Sequence, residues 1–264
     1  MIQHTTLTSD KNPLLRDVRR AIVKGTLTED GYCIAETFHL LEEAVRSNRP
    51  IQVVLAAESV APAVQAVVRT RPGLRVVVAS DTLFHGLVST ETAQGVLALV
   101  EPPQWTLDHV LAGKTLAVAL DGVQDPGNAG TIIRTAEAFG ATGALFLKGS
   151  VSPFNPKTLR ASAGSLFRLP FVHGLDPREA AARIRERGLD LYAAVARGGR
   201  PLPDADLSAP CVVAVGSESR GVSEQVLSHA RGLHIPTVGV ESLNAAIAAG
   251  IILCEASRQR SQPR

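Results

Sequence analysis

The sequence predicts an α/β protein of two consecutive units, and three observations support this prediction. Apolar runs with strand character alternate with stretches of helical 3.6-residue periodicity along the chain. The stretch EPPQWTLDHVLAGK, with its proline pair, interrupts this alternation and is interpreted as a linker. Beyond it, four predicted strands alternate with helices, as is typical of a mostly parallel sheet covered on both faces. We therefore expect one unit at 1–101, a linker at 102–114 and a second unit at 115–264.

The first unit opens with a helix whose ends are marked in the sequence. Asn12 can cap this helix, Pro13 suits its first turn, and Gly25 can end it. The periodicity then predicts, in order, strand YCIAET, helix FHLLEEAVRS, strand IQVVLAA, helix VAPAVQAVVRT, and strands LRVVVAS and QGVLALV. In the second unit, the predicted strands are TLAVAL, GALFLK, LDLYAAVA and CVVAVGSE, with helices between them.

Composition excludes several classes of protein. The chain has 264 residues, 45% hydrophobic and 20% charged, which is ordinary for a globular protein. Its longest apolar run, Leu243 to Cys254, is too short to cross a membrane, so no membrane partner is expected. Three widely spaced cysteines, Cys33, Cys211 and Cys254, predict reduced thiols in a cytoplasmic protein. Their apolar neighbours predict burial, and no metal site is expected.

The charge distribution permits a polyanionic partner without requiring one. The net charge is +2, with ten Lys and Arg against eleven Asp and Glu up to Trp105. The remainder carries seventeen basic against fourteen acidic residues, and fourteen of the seventeen are arginines. Arginine suits bidentate contact with phosphate. An ordinary solvated surface explains the same numbers equally well.

The stretch DGVQDPGNAGTIIRTAEAFG, Asp121 to Gly140, has the strand, glycine turn and helix layout of a phosphate-binding loop. It matches neither standard fingerprint. Asn128 and Ala129 stand where a P-loop needs Lys and Ser or Thr, and the dinucleotide pattern G-x-G-x-x-G is absent. The turn instead carries Asn128 and, further along the helix, Arg134.

Two later segments also place polar residues at the ends of apolar elements. In VVAVGSESRGVS, Glu218 follows a buried strand at the edge where open α/β sheets bind ligands, although it could also cap the next helix. The spacing differs from the G-x-S-x-G of a serine hydrolase. In HIPTVGVESLNAAIAAGIILCEASRQR, an uncharged helix from Leu243 to Cys254 follows Ser242, a possible N-cap. Asn244 needs partners for both its donor and its acceptor.

Taken in order, these three segments resemble the three motifs of the SpoU (TrmH-type) family of RNA ribose 2′-O-methyltransferases. The segment LRASAGSLFRLP, between the first and second, is also typical of that family. The resemblance spans about Leu116 to Arg260. The first unit resembles the family's L30e-like substrate-binding domain, notably in ETFHLLEEAV and STETAQGVLALV.

The resemblance implies a SPOUT domain with a trefoil knot, in which S-adenosylmethionine binds. It also implies a homodimer through the C-terminal domain, and RNA as the partner, with 23S ribosomal RNA as the first expectation and tRNA as the second. Arg134 is expected to grip an RNA phosphate and stabilise a developing alkoxide. The remaining residues that the resemblance implies are Asn128, Glu218, Ser242 and Asn244 as the other polar site positions, and Gly216, Ile235 and Leu243 in the cofactor pocket. The alternative is a non-catalytic RNA-binding protein that retains the scaffold.

Overall fold

The computed structural model describes residues 3–7, 9–88 and 94–261. The chain folds into two compact units, and each unit is formed by two separate stretches of sequence. The N-terminal unit comprises Met1–Gln104 and Phe154–Arg168, and the C-terminal unit comprises Trp105–Pro153 and Leu169–Arg264. The boundaries drawn from the sequence stay a prediction. The division adds that a segment following the first motif packs with the N-terminal unit.

The N-terminal unit is built on a five-stranded sheet in the order β1-β4-β3-β5-β2. β1, β4 and β3 run parallel, whereas β5 is antiparallel to both of its neighbours. Its strands are β1 (Gln3–Leu7), β2 (Cys33–Glu36), β3 (Ile51–Ala57), β4 (Arg75–Ala79) and β5 (Val96–Val100). Its helices in the first stretch are α1 (Pro13–Lys24), α2 (Phe38–Arg46), α3 (Ala61–Val68) and α4 (Asp81–His85).

The C-terminal unit has a seven-stranded sheet in the order β10-β12-β9-β11-β6-β7-β8, and every ladder in it is parallel. The elements from Trp105 onward, in chain order, are α5 (Leu107–Val110), β6 (Leu116–Asp121), α6 (Pro126–Ala138), β7 (Gly143–Leu147), α7 (Pro156–Ala161, in the N-terminal unit), β8 (Phe171–Leu175), α8 (Pro177–Glu186), β9 (Asp190–Ala194), β10 (Arg200–Pro201), β11 (Cys211–Gly216), α9 (Glu224–Leu227), β12 (Arg231–His234) and α10 (Ala245–Ser261).

The predicted parallel sheet is confirmed, and helices cover both of its faces. Alternate residues of β6, such as Ala117 and Ala119, pack in one apolar cluster with Ala180 and Ile184 of α8. α6 packs on β6, and α10 packs on α6 and β11. Because side chains alternate along a strand, the other residues of β6 and β11 face this second helical layer. All six residues of β6 and all six of β11 are buried, which explains why β6 is apolar up to its last residue, Asp121, and β11 is apolar throughout.

The predicted ends of α1 are confirmed by its cap geometry. Asn12 Oδ1 accepts a hydrogen bond from the Leu14 backbone N–H at 3.0 Å, and Pro13 is the first residue of the helix. Gly25 ends the helix in the left-handed conformation, with φ of 63°. Residues 89–93 of the STETAQGVLALV segment lie outside the described part of the chain.

The second stretch of the N-terminal unit, Phe154–Arg168, supplies partners for two buried carboxylates. Arg160 Nη1 lies 2.6 Å from Glu36 Oε2, at the end of β2. Arg168 pairs in the same way with Glu43 of α2. Both glutamates are buried, and removing one partner of a buried ion pair costs about 3–5 kcal/mol. The segment is therefore an integral part of this unit.

Several elements were missed or misplaced by periodicity. β8 and β12, with sequences FVHGL and RGLH, are too polar and glycine-containing to give a strand signal. The uncharged helix predicted from Leu243 begins at Ala245 and continues past Cys254 to Ser261, because Glu255 and Arg258 form an exposed i,i+3 ion pair on it. No helix in the described ranges has the length and hydropathy needed to cross a membrane.

Candidate active site

The candidate site lies at the carboxyl edge of the parallel sheet of the C-terminal unit. β6 ends at Asp121 and β11 ends at Gly216, and these two residues are paired in register. The segments that follow the two strands, which contain Asn128 and Glu218, therefore start side by side. This is the edge at which open α/β sheets bind their ligands.

A cavity of about 630 Å³ opens at this edge. Its walls come from the segments that follow β9, β11 and β12 and from the start of α10. All three residues predicted to contact a cofactor, Gly216, Ile235 and Leu243, line this cavity, and so do Glu218 and Ser242. Their roles stay predictions.

Glycine is required at position 216 by the closeness of the neighbouring backbone. A Cβ atom added there would lie 1.9 Å from the Gly221 carbonyl carbon and 2.1 Å from the Val222 nitrogen. The absence of a side chain at Gly216 therefore lets the segment after β11 fold back against the end of that strand.

Three polar side chains from the three motifs form one hydrogen-bonded chain. The Asn128 amide nitrogen donates to Glu218 Oε1. The Asn244 amide nitrogen donates to Asn128 Oδ1 at 3.0 Å. Residues separated by 90 and 116 positions are thus joined directly. The half-buried Asn128 thus uses both its donor and its acceptor, and the exposed Asn244 uses its donor.

Local sequence explains why Asn128 and Asn244 are held in place. Asp125 caps α6, and its Oδ1 accepts the Asn128 backbone N–H at 2.7 Å. Asn244 Oδ1 accepts the backbone N–H groups of Ala246 at 2.9 Å and Ile247 at 3.2 Å, and so caps α10. Each asparagine is therefore fixed to a helix N-terminus as well as to its neighbour.

Two simpler interpretations of these residues are wrong. Ser242 does not cap the helix, because α10 begins at Ala245 with Asn244 as its cap. Glu218 does not cap the following helix, because α9 begins at Glu224, directly after Ser223. Ser242 is exposed and lines the cavity, but it makes no side-chain hydrogen bond within the described residues.

Arg134 stands apart from the other predicted site residues. It lies on α6, is exposed, and its guanidinium has no hydrogen bond or ion pair with any residue in the ranges that the structure describes. The structure therefore brings together Asn128, Glu218 and Asn244, whereas Arg134 is presented to solvent.

Sequence reasoning missed two further features near the cavity. The buried Asp121 carboxylate accepts the Ser223 backbone N–H at 2.7 Å. Arg197 and Glu241, which both line the cavity, form an exposed ion pair of 2.6 Å. An acidic residue ending an apolar strand is the signal that marked Glu218, and it could have identified Asp121 as well. Nothing in the sequence links Arg197 to Glu241, since they lie 44 positions apart.

The three cysteines differ in exposure. Cys33 and Cys211 are buried as expected, but Cys254 is exposed on α10, so the prediction that all three are buried is wrong. Burial raises the pKa of Cys33 to about 12. Burial also raises the pKa of Cys211, although Arg260 opposes this. Both thiols are therefore protonated at neutral pH. Among the described residues, no group of three or more His, Cys, Asp or Glu could hold a metal ion.

Comparison with known proteins identifies both parts of the chain. Residues 115–254 match the model of the SpoU rRNA Methylase family. Residues 12–98 match the model of the MRM3-like substrate binding domain. The first of these matches includes all three motifs and every element of the hydrogen-bonded chain described above.

Full-length relatives and solved structures agree with these matches. The chain is 31% identical to the 23S rRNA (guanosine(2553)-2′-O)-methyltransferase RlmP of Bacillus subtilis, over 93% of its own length and 96% of the relative's. It is similar to an AdoMet-bound rRNA methyltransferase from Sinorhizobium meliloti, with 30% identity, a TM-score of 0.82, and coverage of 97% of this chain and 98% of that one. For the AdoMet complex of the SpoU methyltransferase AviRb from Streptomyces viridochromogenes, the identity is 27%, the TM-score 0.85, and the coverage 96% and 100%. The predicted resemblance and the α/β fold class are confirmed, and the chain belongs to the SpoU rRNA methylase family.

Proposed function

We propose that this protein is a cytoplasmic enzyme that transfers a methyl group from S-adenosylmethionine to a ribose 2′-hydroxyl of RNA, with 23S ribosomal RNA as the first candidate substrate and tRNA as the second. The observation that carries the proposal is the chain of Glu218, Asn128 and Asn244 beside the 630 Å³ cavity. The named activity of the Bacillus subtilis relative, a 2′-O-methyltransferase of 23S rRNA, supports the choice of atom and of RNA.

The cavity has the size and lining that S-adenosylmethionine requires. Its volume lies within the range of about 300–1,000 Å³ that is usual for small-molecule sites. Val215, Leu233 and Ile252 provide apolar surface for a purine, and Gly216 and Gly221 contribute backbone to the cavity wall. Glu218 supplies negative charge next to the cavity, which suits a cationic ligand. When bound, S-adenosylmethionine supplies an electrophilic methyl group carried on a sulfonium.

The polar side chains then have distinct tasks. A ribose hydroxyl is a weak nucleophile at neutral pH and has to be held in line with the methyl group. The linked amides of Asn128 and Asn244, fixed by two helix caps, give a rigid surface against which the ribose can be placed. Arg134 binds the adjacent RNA phosphate and stabilises the developing alkoxide, and the proton of the 2′-hydroxyl passes to that phosphate.

Arg134 reaches the reacting centre from a second copy of the chain. In support, its guanidinium has no partner in the described part of its own chain, whereas α10 presents exposed Ile247 and Ile251, at 55% and 39% exposure. These two side chains line a second, more apolar cavity of about 680 Å³. A two-fold homodimer that covers this face would exchange Arg134 between two sites reciprocally.

The N-terminal unit contributes RNA binding through α1. The stretch Lys11–Lys24 holds five of the ten Lys and Arg residues that precede Trp105 and one of the eleven acidic residues. Asp17 is that acidic residue, and it is occupied by Arg20 at 2.6 Å. Arg16, Arg19 and Lys24 have no carboxylate partner in the described ranges, so their charges are available to phosphates.

Tritium transfer tests the proposal. The purified protein would be incubated with methyl-tritiated S-adenosylmethionine and ribosomal RNA or tRNA, and the product hydrolysed in alkali. Alkaline cleavage needs a free 2′-hydroxyl, so a methylated ribose survives as a labelled dinucleotide. Label in alkali-resistant dinucleotides is the expected result. Label in free mononucleotides would mean base methylation, and no transfer to any RNA would favour the non-catalytic RNA-binding alternative.

A further inference from the structure

Asp121 lies at the end of β6 and is buried, with 4% of its surface exposed. Its Oδ2 accepts the backbone N–H of Ser223 at 2.7 Å. A buried carboxylate in an apolar sheet is costly unless it is hydrogen-bonded, so this contact is a strong constraint on the backbone at Ser223.

The segment between Gly216 and Ser223 is a small closed loop. The Ser217 N–H donates to the Gly221 carbonyl at 3.1 Å, and the Gly221 N–H donates to the Ser217 carbonyl at 2.9 Å. Ser217 Oγ also accepts the Arg220 N–H at 3.2 Å. The loop therefore moves as one body, and Glu218 moves with it.

Both ends of this loop are fixed to Asp121. At its start, Gly216 is paired with Asp121 in the ladder between β11 and β6. At its end, Ser223 donates its N–H to the Asp121 side chain. The side chain of Asp121 thus adds an anchor at the end of the loop to the backbone bonds that close it. With both ends of the loop anchored, Glu218 is held within hydrogen-bonding distance of Asn128.

We propose that Asp121 is a positioning residue that sets the place of Glu218, and through it the Asn128 amide, by holding the Ser223 N–H. The inference rests on the proposed function, because the importance of that placement depends on Glu218 and Asn128 serving the methyl-transfer site. Asp121 itself does not touch the reacting atoms in this scheme.

Two substitutions remove the contact from opposite sides. Asp121→Ala deletes the acceptor. Ser223→Pro deletes the donor, and the Ser223 φ of −67° is already that of proline. The Ser223 hydroxyl has no hydrogen-bond partner, so little else is lost.

Asp121→Asn keeps a side-chain carbonyl that can accept the same N–H. Ser150→Ala is the matched control, because it removes hydrogen bonds to Gly122 N and Leu120 O, on either side of Asp121, while leaving the loop anchor intact.

The first readout is hydrogen exchange of the backbone amides from Ser217 to Ser223 in the free protein. We expect exchange to accelerate in Asp121→Ala, with Asp121→Asn and Ser150→Ala close to wild type. In Ser223→Pro the same acceleration is expected at Gly221.

The second readout is steady-state kinetics, in which kcat falls on the order of 100-fold in Asp121→Ala and Ser223→Pro. We expect the KM for RNA to be unchanged and Asp121→Asn to recover most of kcat.

The two readouts separate this inference from the proposed function. Hydrogen exchange needs no substrate, so unchanged exchange in folded Asp121→Ala and Ser223→Pro overturns the role of Asp121 even if ribose methylation is correct. Faster exchange with an unaltered kcat also overturns it. If the wild-type protein methylates a base instead, the proposed function fails, and the exchange data still decide whether Asp121 fixes the loop. If Asp121→Ala does not fold, Ser223→Pro decides alone.

Discussion

Asn244 donates its side-chain N–H to Asn128 Oδ1 at 3.0 Å, across 116 positions of the chain. The same Asn244 accepts two backbone N–H groups as the cap of α10. One residue therefore both starts a helix and fixes an amide of the candidate active site. The two tasks use different atoms, so they can be separated by substitution.

Asn244→Asp and Asn244→Ala make that separation. Asp keeps the capping oxygen but cannot donate to Asn128, so we expect near wild-type stability with strongly reduced methyl transfer. Ala loses both contacts and should also lower the free energy of unfolding by about 1 kcal/mol. Urea unfolding and a methyl-transfer assay measure the two effects. Equal activity of Asn244→Asp and wild type would contradict the assigned role of the amide.

Arg134→Ala should abolish most methyl transfer and leave S-adenosylhomocysteine binding nearly intact. Loss of one group that stabilises transition-state charge typically costs on the order of 100- to 1,000-fold in rate. Calorimetry with S-adenosylhomocysteine and a transfer assay separate binding from chemistry. Arg178→Ala, another exposed arginine of the C-terminal unit, is the matched control. Near-normal turnover of the Arg134 variant would refute its role.

Ile251→Arg should convert a homodimer into a monomer. It places a charge in the middle of the exposed apolar face of α10, next to Ile247 and Gly250. Light scattering at micromolar concentration measures the mass. Val23→Arg changes a side chain of 79% exposure in the N-terminal unit and should leave the mass unchanged. A wild-type protein that is already monomeric would exclude the shared site.

A mixing experiment tests the shared site directly. Arg134→Ala removes the arginine from one chain, and Leu243→Trp fills the cavity of the other. If each site takes its arginine from the partner, a heterodimer of the two inactive chains contains one complete site. Random pairing of equal amounts makes about half of the dimers heterodimers with one complete site in two, so activity should reappear on mixing at up to about a quarter of the wild-type level. No recovery under conditions of subunit exchange would count against the exchange of Arg134.

Arg16→Ala combined with Arg19→Ala should weaken binding to 23S rRNA and flatten its salt dependence. Each lost phosphate contact lowers the slope of log K against log salt concentration by about one unit. Filter binding over a range of salt concentrations provides the slope. Arg69→Ala with Arg75→Ala, two exposed arginines elsewhere in the same unit, should leave the slope close to wild type. An unchanged slope in the α1 variant would exclude this helix from the interface.

Glu36→Gln should change how stability depends on pH. Burial raises the pKa of Glu36, and the ion pair with Arg160 only partly opposes this. Because the pKa is higher in the folded than in the unfolded state, the stabilising contribution of the protonated form is fully present below pH about 4 and is lost as pH rises through the raised value. The free energy of unfolding of the wild type, relative to that of Glu36→Gln, should therefore decrease as the pH increases from about 4 through the raised pKa of Glu36. Glu42→Gln, at an exposed site on α2, controls for the change of charge.

The sequence predicted the apolar elements well because burial dictates their composition. β11 is an unbroken apolar run, β6 is apolar up to its last residue, and α1 has a cap, a first-turn proline and a terminal glycine. The short strand β12, with Arg231 and His234 at its ends, lacked such a signature. In the site, the motifs identified Asn128, Glu218 and Asn244. Their mutual hydrogen bonds were beyond sequence reasoning, because they depend on which strands of the sheet are neighbours.

The two-part composition of the N-terminal unit limits how this protein can be recombined with its relatives. A chimera that exchanges residues 1–104 alone would confront Arg160 and Arg168 with foreign partners in place of Glu36 and Glu43. Expression of residues 1–104 as a fragment would leave Glu36 without Arg160 and would leave Glu43 with Arg46 as its one remaining cation of the two. An exchange of the N-terminal unit between relatives therefore has to be discontinuous, with residues 154–168 transferred together with the first 104.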